Sequence, residues 1–335
     1  MNKVDTTPKT LAEAIKYFGN PDNAHNFMVR IRWPDGHVCC PNCGSLRVRY
    51  IQTRRQWECR EQHPKRRFSL KTGTIMEESP LPLEKWLAAL WLEVNCKNSI
   101  SSYEIARDLG VTQKTGWFML HRIRFALHQG SFDMPMSGIV EADETFVGGL
   151  AKNMHKSKRD RVIQGRGTST KTAVMGLLAR HDGKYHSQVR ARVVPNIGRE
   201  TLHAIIRSNV QAGSHLYTDN WKPYRQLGPE YFHEFVDHAE AYVRGAVHTN
   251  GLENFWSLFK RCIKGTHISI EPFHLGAYVD SEAYRFNNRE TDDASRFVGA
   301  MKGLAGKRLT YEALIGALEV APGSESIAGG ENSKN

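Results

Sequence analysis

The chain has 335 residues, which is enough for two or three domains of ordinary size. Hydrophobic residues make up 40% of it and charged residues 24%, which excludes collagen-like and wholly disordered proteins. Its longest apolar stretch, residues 86–94, is far shorter than the roughly 18–20 residues of a membrane span, and the polar residues 1–5 open no secretory signal. We therefore expect a cytoplasmic protein that does not act at a membrane.

Positive charge is in excess and is concentrated in two stretches. The chain has 46 Lys and Arg against 35 Asp and Glu, a net charge of +11, and this balance favours a polyanionic partner. Residues 47–67 contain eight basic residues and two acids, and residues 152–171 contain seven and one. Each stretch taken alone is explained equally well as a solvated surface or as a nucleic-acid-binding one.

Four of the six cysteines lie within residues 39–59, a clustering that is typical of a metal site in a reducing compartment. The spacing predicts a zinc ribbon, with a hairpin formed by residues 48–51 and 56–59 that returns the second pair of ligands to the first. A tetrahedral structural zinc ion would be bound by Cys40, Cys43, Cys59 and His63.

Two alternatives to this zinc site stay open at the level of sequence. Cys39 could replace His63 as the fourth ligand, although Cys39 adjoins Cys40 and would have to turn away from its neighbour's ligand geometry. The cysteines could also be buried free thiols. If zinc is bound by four protein ligands, it should fold the module rather than catalyse a reaction.

The residues that follow the ribbon predict helices. Apolar residues recur at helical spacing in 83–96, a capping box at Ser101 opens a helix that ends at Gly110, and another helix begins after Thr112. This pair matches a helix-turn-helix, although such pairs often serve only as packing. Its second helix would expose Gln113, Lys114, Thr115, His121, Arg122 and Arg124, of which Lys114 and Arg122 are the predicted DNA contacts.

A linker at about residues 130–138 leads into a segment with a different pattern. Strand-like stretches followed by alternating helix and strand predict a mixed α/β sheet. The expected strands are residues 139–147, 171–180, 186–194 and 215–218, and the expected helices are residues 199–210 and 248–261.

Two carboxylates stand where strands ordinarily bury neutral groups. Asp143 interrupts an apolar strand and Asp219 ends another, and such placement becomes favourable if the two share a divalent cation. The amphipathic helix 248–261 offers a third acid, Glu253, with Lys260 about 20° away in helical projection. Taken alone, that helix is also explained as a core helix flanked by a solvated ion pair.

The spacing of these residues resembles the catalytic signature of DDE transposases. Glu253 follows Asp219 by 34 positions, and the basic residue Lys260 follows Glu253 by seven. More narrowly, residues 141–149, 217–219 and 253–261 resemble bacterial insertion-sequence transposases of the ISXO type. Those proteins also carry an N-terminal zinc ribbon of the Cys-Pro-x-Cys kind. The resemblance extends from about residue 24 to residue 289.

The resemblance implies an RNase H-like catalytic domain, a mixed five-stranded sheet with flanking helices. Asp143, Asp219 and Glu253 would bind two Mg²⁺ ions, for which Mn²⁺ can substitute, and Lys260 and Arg261 would contact DNA. The implied partners are the double-stranded DNA of the element's terminal inverted repeats and of the target. The implied assembly is a homodimer or a larger synaptic complex, associated with the bacterial nucleoid.

The predicted organisation has six parts: an N-terminal segment, a zinc-ribbon DNA-binding module, a helix-turn-helix domain, a catalytic domain, a C-terminal helical segment and a disordered tail. They span residues 1–23, 24–78, 79–130, 138–290, 291–320 and 321–335. Two other functions remain possible from the sequence. One is a zinc-ribbon DNA-binding regulator without catalysis, and the other is a two-metal nuclease that cuts without joining.

Overall fold

A computed structural model describes residues 7–128, 134–148, 171–181, 183, 186–227, 229–236 and 247–316. The chain divides into two compact units. Unit 1 contains Met1–Cys96, Ile100–His128 and Thr291–Asn335, and unit 2 contains Lys97–Ser99 and Gln129–Glu290. The second basic stretch, residues 152–171, lies outside the described residues except for Lys171, and the predicted disordered tail lies outside them too.

The described helices are, in chain order, α1 (Leu11–Phe18), α2 (Pro21–Arg32), α3 (Leu83–Asn95), α4 (Ser102–Leu109), α5 (Gln113–Leu127), α6 (Arg199–Asn209), α7 (Asn250–Cys262), α8 (Leu275–Asn287), α9 (Asp293–Lys302) and α10 (Tyr311–Leu314). The strands are β1 (Val48–Ile51), β2 (Gln56–Cys59), β3 (Arg67–Phe68), β4 (Ile139–Val147), β5 (Thr172–Ala179), β6 (Gln188–Val194), β7 (His215–Asp219) and β8 (Phe232–Val236). Among the described residues, no helix is both long and apolar enough to cross a membrane.

The ribbon of unit 1 is a three-stranded antiparallel sheet in the order β1-β2-β3. The two predicted hairpin strands are confirmed at their expected boundaries. The third strand has only two residues, and Phe68 in it pairs with Trp57 of β2. So short a strand carries no alternating pattern that a sequence analysis could detect.

An aromatic cluster joins the helices α1, α2, α3 and α9 of unit 1. The ring of Phe297 in α9 lies with its centroid 5.7 Å from Phe18 in α1, 5.9 Å from Phe27 in α2 and 5.1 Å from Trp91 in α3. Aromatic pairs at these distances stabilise a core beyond their buried area. The helices at the start of the chain and the segment after Thr291 therefore belong to the same compact unit as α3.

The expectation that Arg122 lies on an exposed face of α5 was wrong. Arg122 is only 7% exposed and donates hydrogen bonds to three backbone oxygens, those of Ile75, Glu77 and Leu309, at 2.9–3.0 Å. Its neighbours His121 and Arg124 are buried too, and Arg124 forms an ion pair with Glu93 of α3. Other segments of unit 1 therefore cover the face of α5 that the sequence pattern assigned to solvent.

Unit 2 is built on a five-stranded mixed sheet in the order β6-β5-β4-β7-β8. The strands β4, β5 and β6 form an antiparallel meander, whereas β7 and β8 run parallel to β4. The predicted mixed sheet with flanking helices is confirmed. The edge strand β8 was not located from the sequence, because its exposed Phe232 and Phe235 do not alternate with polar residues.

The two faces of this sheet are covered by different helices. Leu202 and Ile206 of α6 pack with Val140 and Ala142 of β4 on one face. On the other face, buried side chains of α7 and α8 pack with those of β5, among them Leu252, Phe255, Phe259, Val279, Val174 and Leu178. Odd-numbered residues in the first part of β4 thus point towards α7.

Helix α7 lies unusually close to the sheet at Gly176 of β5. A Cβ atom added there would lie 2.6 Å from the Trp256 ring, so the ring packs directly on the glycine backbone. Gly176 is paired with Asp143 on the neighbouring strand. This close approach lets the Trp256 indole N–H donate a hydrogen bond of 2.9 Å to Oδ2 of Asp143.

Candidate metal and catalytic sites

The four residues predicted to bind zinc meet at one point of the ribbon. One potential ligand atom from each of Cys40, Cys43, Cys59 and His63 lies within 4.8 Å of the others. The Sγ atoms of Cys43 and Cys59 are 3.6 Å apart, and Cys40 Sγ is 3.6 Å from His63 Nε2. Tetrahedral ligands around zinc stand about 3.5–3.8 Å apart, so the arrangement fits a structural zinc ion.

The geometry places His63 in this group and turns Cys39 away from it. The Nδ1 atom of His63 lies 2.6 Å from the carbonyl oxygen of Pro64, a distance that suits an Nδ1–H donor and leaves Nε2 as the ligand nitrogen. The thiol of Cys39 instead accepts a hydrogen bond from the indole N–H of Trp33. Burial raises the pKa of the Cys40 thiol to about 11, so a bound cation is needed to hold it as a thiolate.

The sheet of unit 2 brings two of the predicted catalytic acids to neighbouring strands. Glu141 of β4 is paired with Tyr217 of the parallel strand β7, and two residues further along each strand are Asp143 and Asp219. Neighbouring strands lie about 4.8 Å apart, and side chains two residues apart share one face of a sheet. The register therefore places Asp143 and Asp219 side by side.

Asp143 is largely buried, and this position changes its protonation. Burial and, after it, the nearby negative charges of Asp219 and Glu253 together raise the pKa of its carboxyl from 3.8 to about 6, against the opposing effect of hydrogen bonds from the Glu144 backbone and the Trp256 indole. Glu253 reaches this neighbourhood from α7, one turn before Trp256. Asp143 is thus electrostatically coupled to both of the other predicted acids.

The three acids are not gathered as tightly as the ribbon ligands. In the described part of the chain, the ribbon group is the one set of three or more Cys, His, Asp and Glu side chains arranged to hold a single ion. Asp143 instead lies between two partners, with Asp219 on the neighbouring strand and Glu253 on the covering helix.

A further carboxylate beside this group, Glu144, has a role that the sequence did not reveal. Its Oε2 accepts a hydrogen bond of 2.5 Å from the hydroxyl of Tyr224, which is fully buried on the α6 side of the sheet. Burial raises the pKa of Glu144 to about 7, and the charges of Asp143 and Asp219 act in the same direction. No local pattern indicates this pair, because the two residues are 80 positions apart in the chain.

The predicted DNA-contacting residues, apart from Arg122, are exposed. Lys260 and Arg261 lie in the last turn of α7. Lys260 interacts electrostatically with Asp143, Lys264 and Lys171. Burial lowers the pKa of Lys260, with the attraction of Asp143 opposing that effect. In unit 1, Lys114 is exposed at the start of α5, with its Nζ 5.1 Å from the ring centre of Tyr311.

The fold and these sites define a zinc-ribbon protein with an acid-bearing α/β unit, and comparison with known proteins identifies the class. Residues 135–287 match the ISXO2-like transposase domain, and residues 19–61 match the transposase zinc-ribbon domain. An uncharacterized protein in transposable element ISH50 of Halobacterium salinarum is 30% identical over 282 residues, which cover 79% of this chain and 90% of that protein. An uncharacterized transposase-like protein of Haemophilus influenzae is 34% identical over 99 residues, 29% of this chain and 80% of the other.

The chain therefore belongs to the family of insertion-sequence transposases that carry an ISXO2-like domain behind a zinc ribbon. This confirms the family that the sequence motifs indicated. The family and the Cys₃His cluster together support a structural zinc ion in unit 1.

The ligand geometry predicts which cysteine substitutions release zinc. Cys59→Ser should lose the zinc ion and unfold the ribbon, because it removes a buried ligand atom, whereas Cys39→Ser should keep the ion, since its thiol contacts Trp33. Zinc content per chain, measured by atomic absorption on the purified variants, checks this. Loss of zinc in Cys39→Ser together with its retention in His63→Ala would show that the ligand set is wrong.

The raised pKa of Asp143 predicts a pH-dependent gain in stability on its neutralisation. Because the folded chain holds the Asp143 proton more tightly than the unfolded chain, this group lowers stability as pH rises from about 4 to about 6. Without divalent cations, Asp143→Asn should therefore be more stable than the wild type at pH 7.5, by at most about 3 kcal/mol in the free energy of unfolding. Its melting temperature at this pH should be correspondingly higher. The difference should vanish at pH 4, and a lower melting temperature at pH 7.5 would contradict this account.

Proposed function

We propose that the protein binds the terminal inverted repeats of its element and catalyses metal-dependent cleavage and transfer of DNA strands. In this proposal, Asp143, Asp219 and Glu253 are the catalytic acids. The observation that carries it is the coupling of Asp143 to both other acids, one on the parallel neighbouring strand and one on the covering helix. The sheet order, with three antiparallel strands followed by two parallel to the first, supports an RNase H-like assignment for unit 2.

The chemistry of the three acids fits the two Mg²⁺ ions that the family resemblance implies. Carboxylate oxygens are the hard ligands that Mg²⁺ prefers, and burial of Asp143 beside a second negative charge is costly unless a cation offsets it. Asp143, Asp219 and Glu253 together would hold these ions. An arrangement of this kind does not require all three carboxylates to surround one point.

Each nearby side chain has a distinct part in the proposed reaction. Bound Mg²⁺ ions would activate the attacking water or 3′-hydroxyl and stabilise the leaving oxygen of an in-line phosphoryl transfer. The indole of Trp256 fixes the orientation of the Asp143 carboxylate through its hydrogen bond. Lys260 and Arg261, exposed at the end of α7, would hold the phosphates of the DNA strand close to the acids.

Unit 1 is the proposed DNA-binding part. In its ribbon, the two acids of the basic stretch are paired with arginines: Glu58 with Arg49 and Arg67, and Glu61 with Arg47. Of the other arginines of that stretch, Arg55 is paired with Asp22 and Arg66 donates to the carbonyl oxygen of Cys59, whereas the exposed Arg54 and Arg60 would contact phosphates. The pair α4–α5 would act as a helix-turn-helix in which Lys114, at the exposed N-terminal end of α5, contacts DNA. Two element ends must be joined, so we propose a homodimer or a larger synaptic complex.

A cleavage and joining assay tests this function. The substrate is a labelled duplex that carries the sequence flanking the gene, supplied with Mg²⁺ and a target plasmid. Asp219→Asn and Glu253→Gln should each lower the rate of cleavage and joining at least 100-fold and leave duplex binding unchanged, because they remove metal ligands from unit 2 alone. Glu200→Gln, on the exposed surface of α6, is the matched control and should retain the full rate.

The same assay separates the three functions that the sequence leaves open. A regulator would shift the duplex on a gel and leave it intact, and a nuclease would cut the duplex without joining it to the plasmid. Full joining by both acid variants would remove Asp219 and Glu253 from the catalytic set.

A further inference from the structure

Glu141 is a buried acid that the proposed reaction does not use. It lies two residues before Asp143 on β4, on the same face of the strand, and is only 1% exposed. Its Oε1 accepts a hydrogen bond of 2.7 Å from Nε of Arg180, and its Oε2 accepts one of 3.0 Å from the backbone N–H of Leu252. Both carboxylate oxygens are therefore occupied, one by a side chain and the other by the first turn of α7.

The bond to Leu252 supplies a cap that α7 does not make for itself. Its N-cap residue, Thr249, forms no capping hydrogen bond with its side chain. The first N–H groups of a helix need acceptors, and a negative charge near them is stabilising. Glu141 provides both from the neighbouring strand, at the residue directly before Glu253.

Arg180 extends the connection to the segment that precedes α7. Its guanidinium donates to the backbone oxygen of His248 and to Nδ1 of the same residue, each at 2.7 Å. Its backbone N–H donates to the carbonyl oxygen of Ile139, at the start of β4. The Glu141–Arg180 pair therefore holds the entry to α7 against the strand that carries Asp143.

The helix approaches Glu141 closely enough to require a glycine. A Cβ atom added to Gly251 would lie 2.9 Å from Oε2 of Glu141 and 3.0 Å from Leu178. Since Glu141 is held by two hydrogen bonds, a side chain at position 251 would push α7 away from β4. The distance between this strand and the first turn of α7 is thus set by direct contact.

We infer that Glu141 is a positioning residue that sets the place of Glu253 relative to Asp143 by capping α7 from the strand. This inference rests on the proposed function, because it assigns Glu141 a role in aligning the two acids proposed to bind metal. In Glu141→Gln, the amide would present a donor either to Arg180 or to the Leu252 N–H, so one of the two contacts must fail.

The test compares Glu141→Gln with Glu282→Gln, using the full-length, zinc-loaded protein. Glu282 is the matched control because it is also buried in unit 2 and is paired with an arginine, Arg285, at 2.6 Å. Three quantities are measured: duplex affinity without divalent cations, the Mn²⁺ concentration that gives half-maximal cleavage, and the rise in melting temperature on addition of Mn²⁺.

For Glu141→Gln, we expect duplex affinity to stay unchanged, the half-maximal Mn²⁺ concentration to rise roughly tenfold, and the Mn²⁺-induced rise in melting temperature to shrink. Glu282→Gln should lose stability without any change in its Mn²⁺ response. If Glu141→Gln does not fold, Gly251→Ala serves in its place, since it preserves the charge of Glu141 and displaces the helix; it should also raise the Mn²⁺ requirement.

The outcomes distinguish this inference from the proposed function. A wild-type protein that neither cleaves nor gains stability with Mn²⁺ would overturn the proposed function, and this inference with it. A wild-type protein that responds to Mn²⁺, together with a Glu141→Gln or Gly251→Ala variant that responds equally, would overturn the positioning role of Glu141 alone.

Discussion

Asp143 is an acid held where an ionised group is costly, and much of unit 2 is arranged around it. Burial and the neighbouring charge of Asp219 both favour its protonated form, whereas the proposed reaction needs its carboxylate. The indole of Trp256 partly offsets this cost through a hydrogen bond, and Gly176 lets the indole come close enough to form it. Bound cations would offset the rest, which is why we propose this largely buried acid as a metal ligand.

The same strand, β4, organises the site on both sides of the sheet. Asp143 and Glu141 face α7, where one is proposed to bind metal and the other caps the helix that carries Glu253. Glu144 points to the opposite side and is held by the buried Tyr224. Three acids in four positions of one central strand would destabilise the fold if each were not paired with a donor. The donors from α7, from Arg180 directly after β5 and from the segment after β7 are therefore as necessary to the site as the acids are.

Local patterns predicted the parts of the structure that local interactions determine. The ribbon hairpin, the capping box of α4 and the apolar face of α7 were all placed correctly, because each depends on residues a few positions apart. Arg122 was misplaced because its acceptors include Leu309, 187 positions away. The partner of Glu144 and the cap from Glu141 were missed for the same reason, since the contacts span 80 and 111 positions.

We propose that Asp143, Asp219 and Glu253 together hold two divalent cations. The most direct measurement is a count of Mn²⁺ bound to the zinc-loaded protein, by electron paramagnetic resonance of the free ion at increasing Mn²⁺ concentration. We predict two Mn²⁺ per chain in the wild type and weaker or fewer bound Mn²⁺ ions in Asp143→Asn and in Glu253→Gln. An Asp143→Asn variant that binds as many Mn²⁺ ions as the wild type, with the same affinity, would contradict the account.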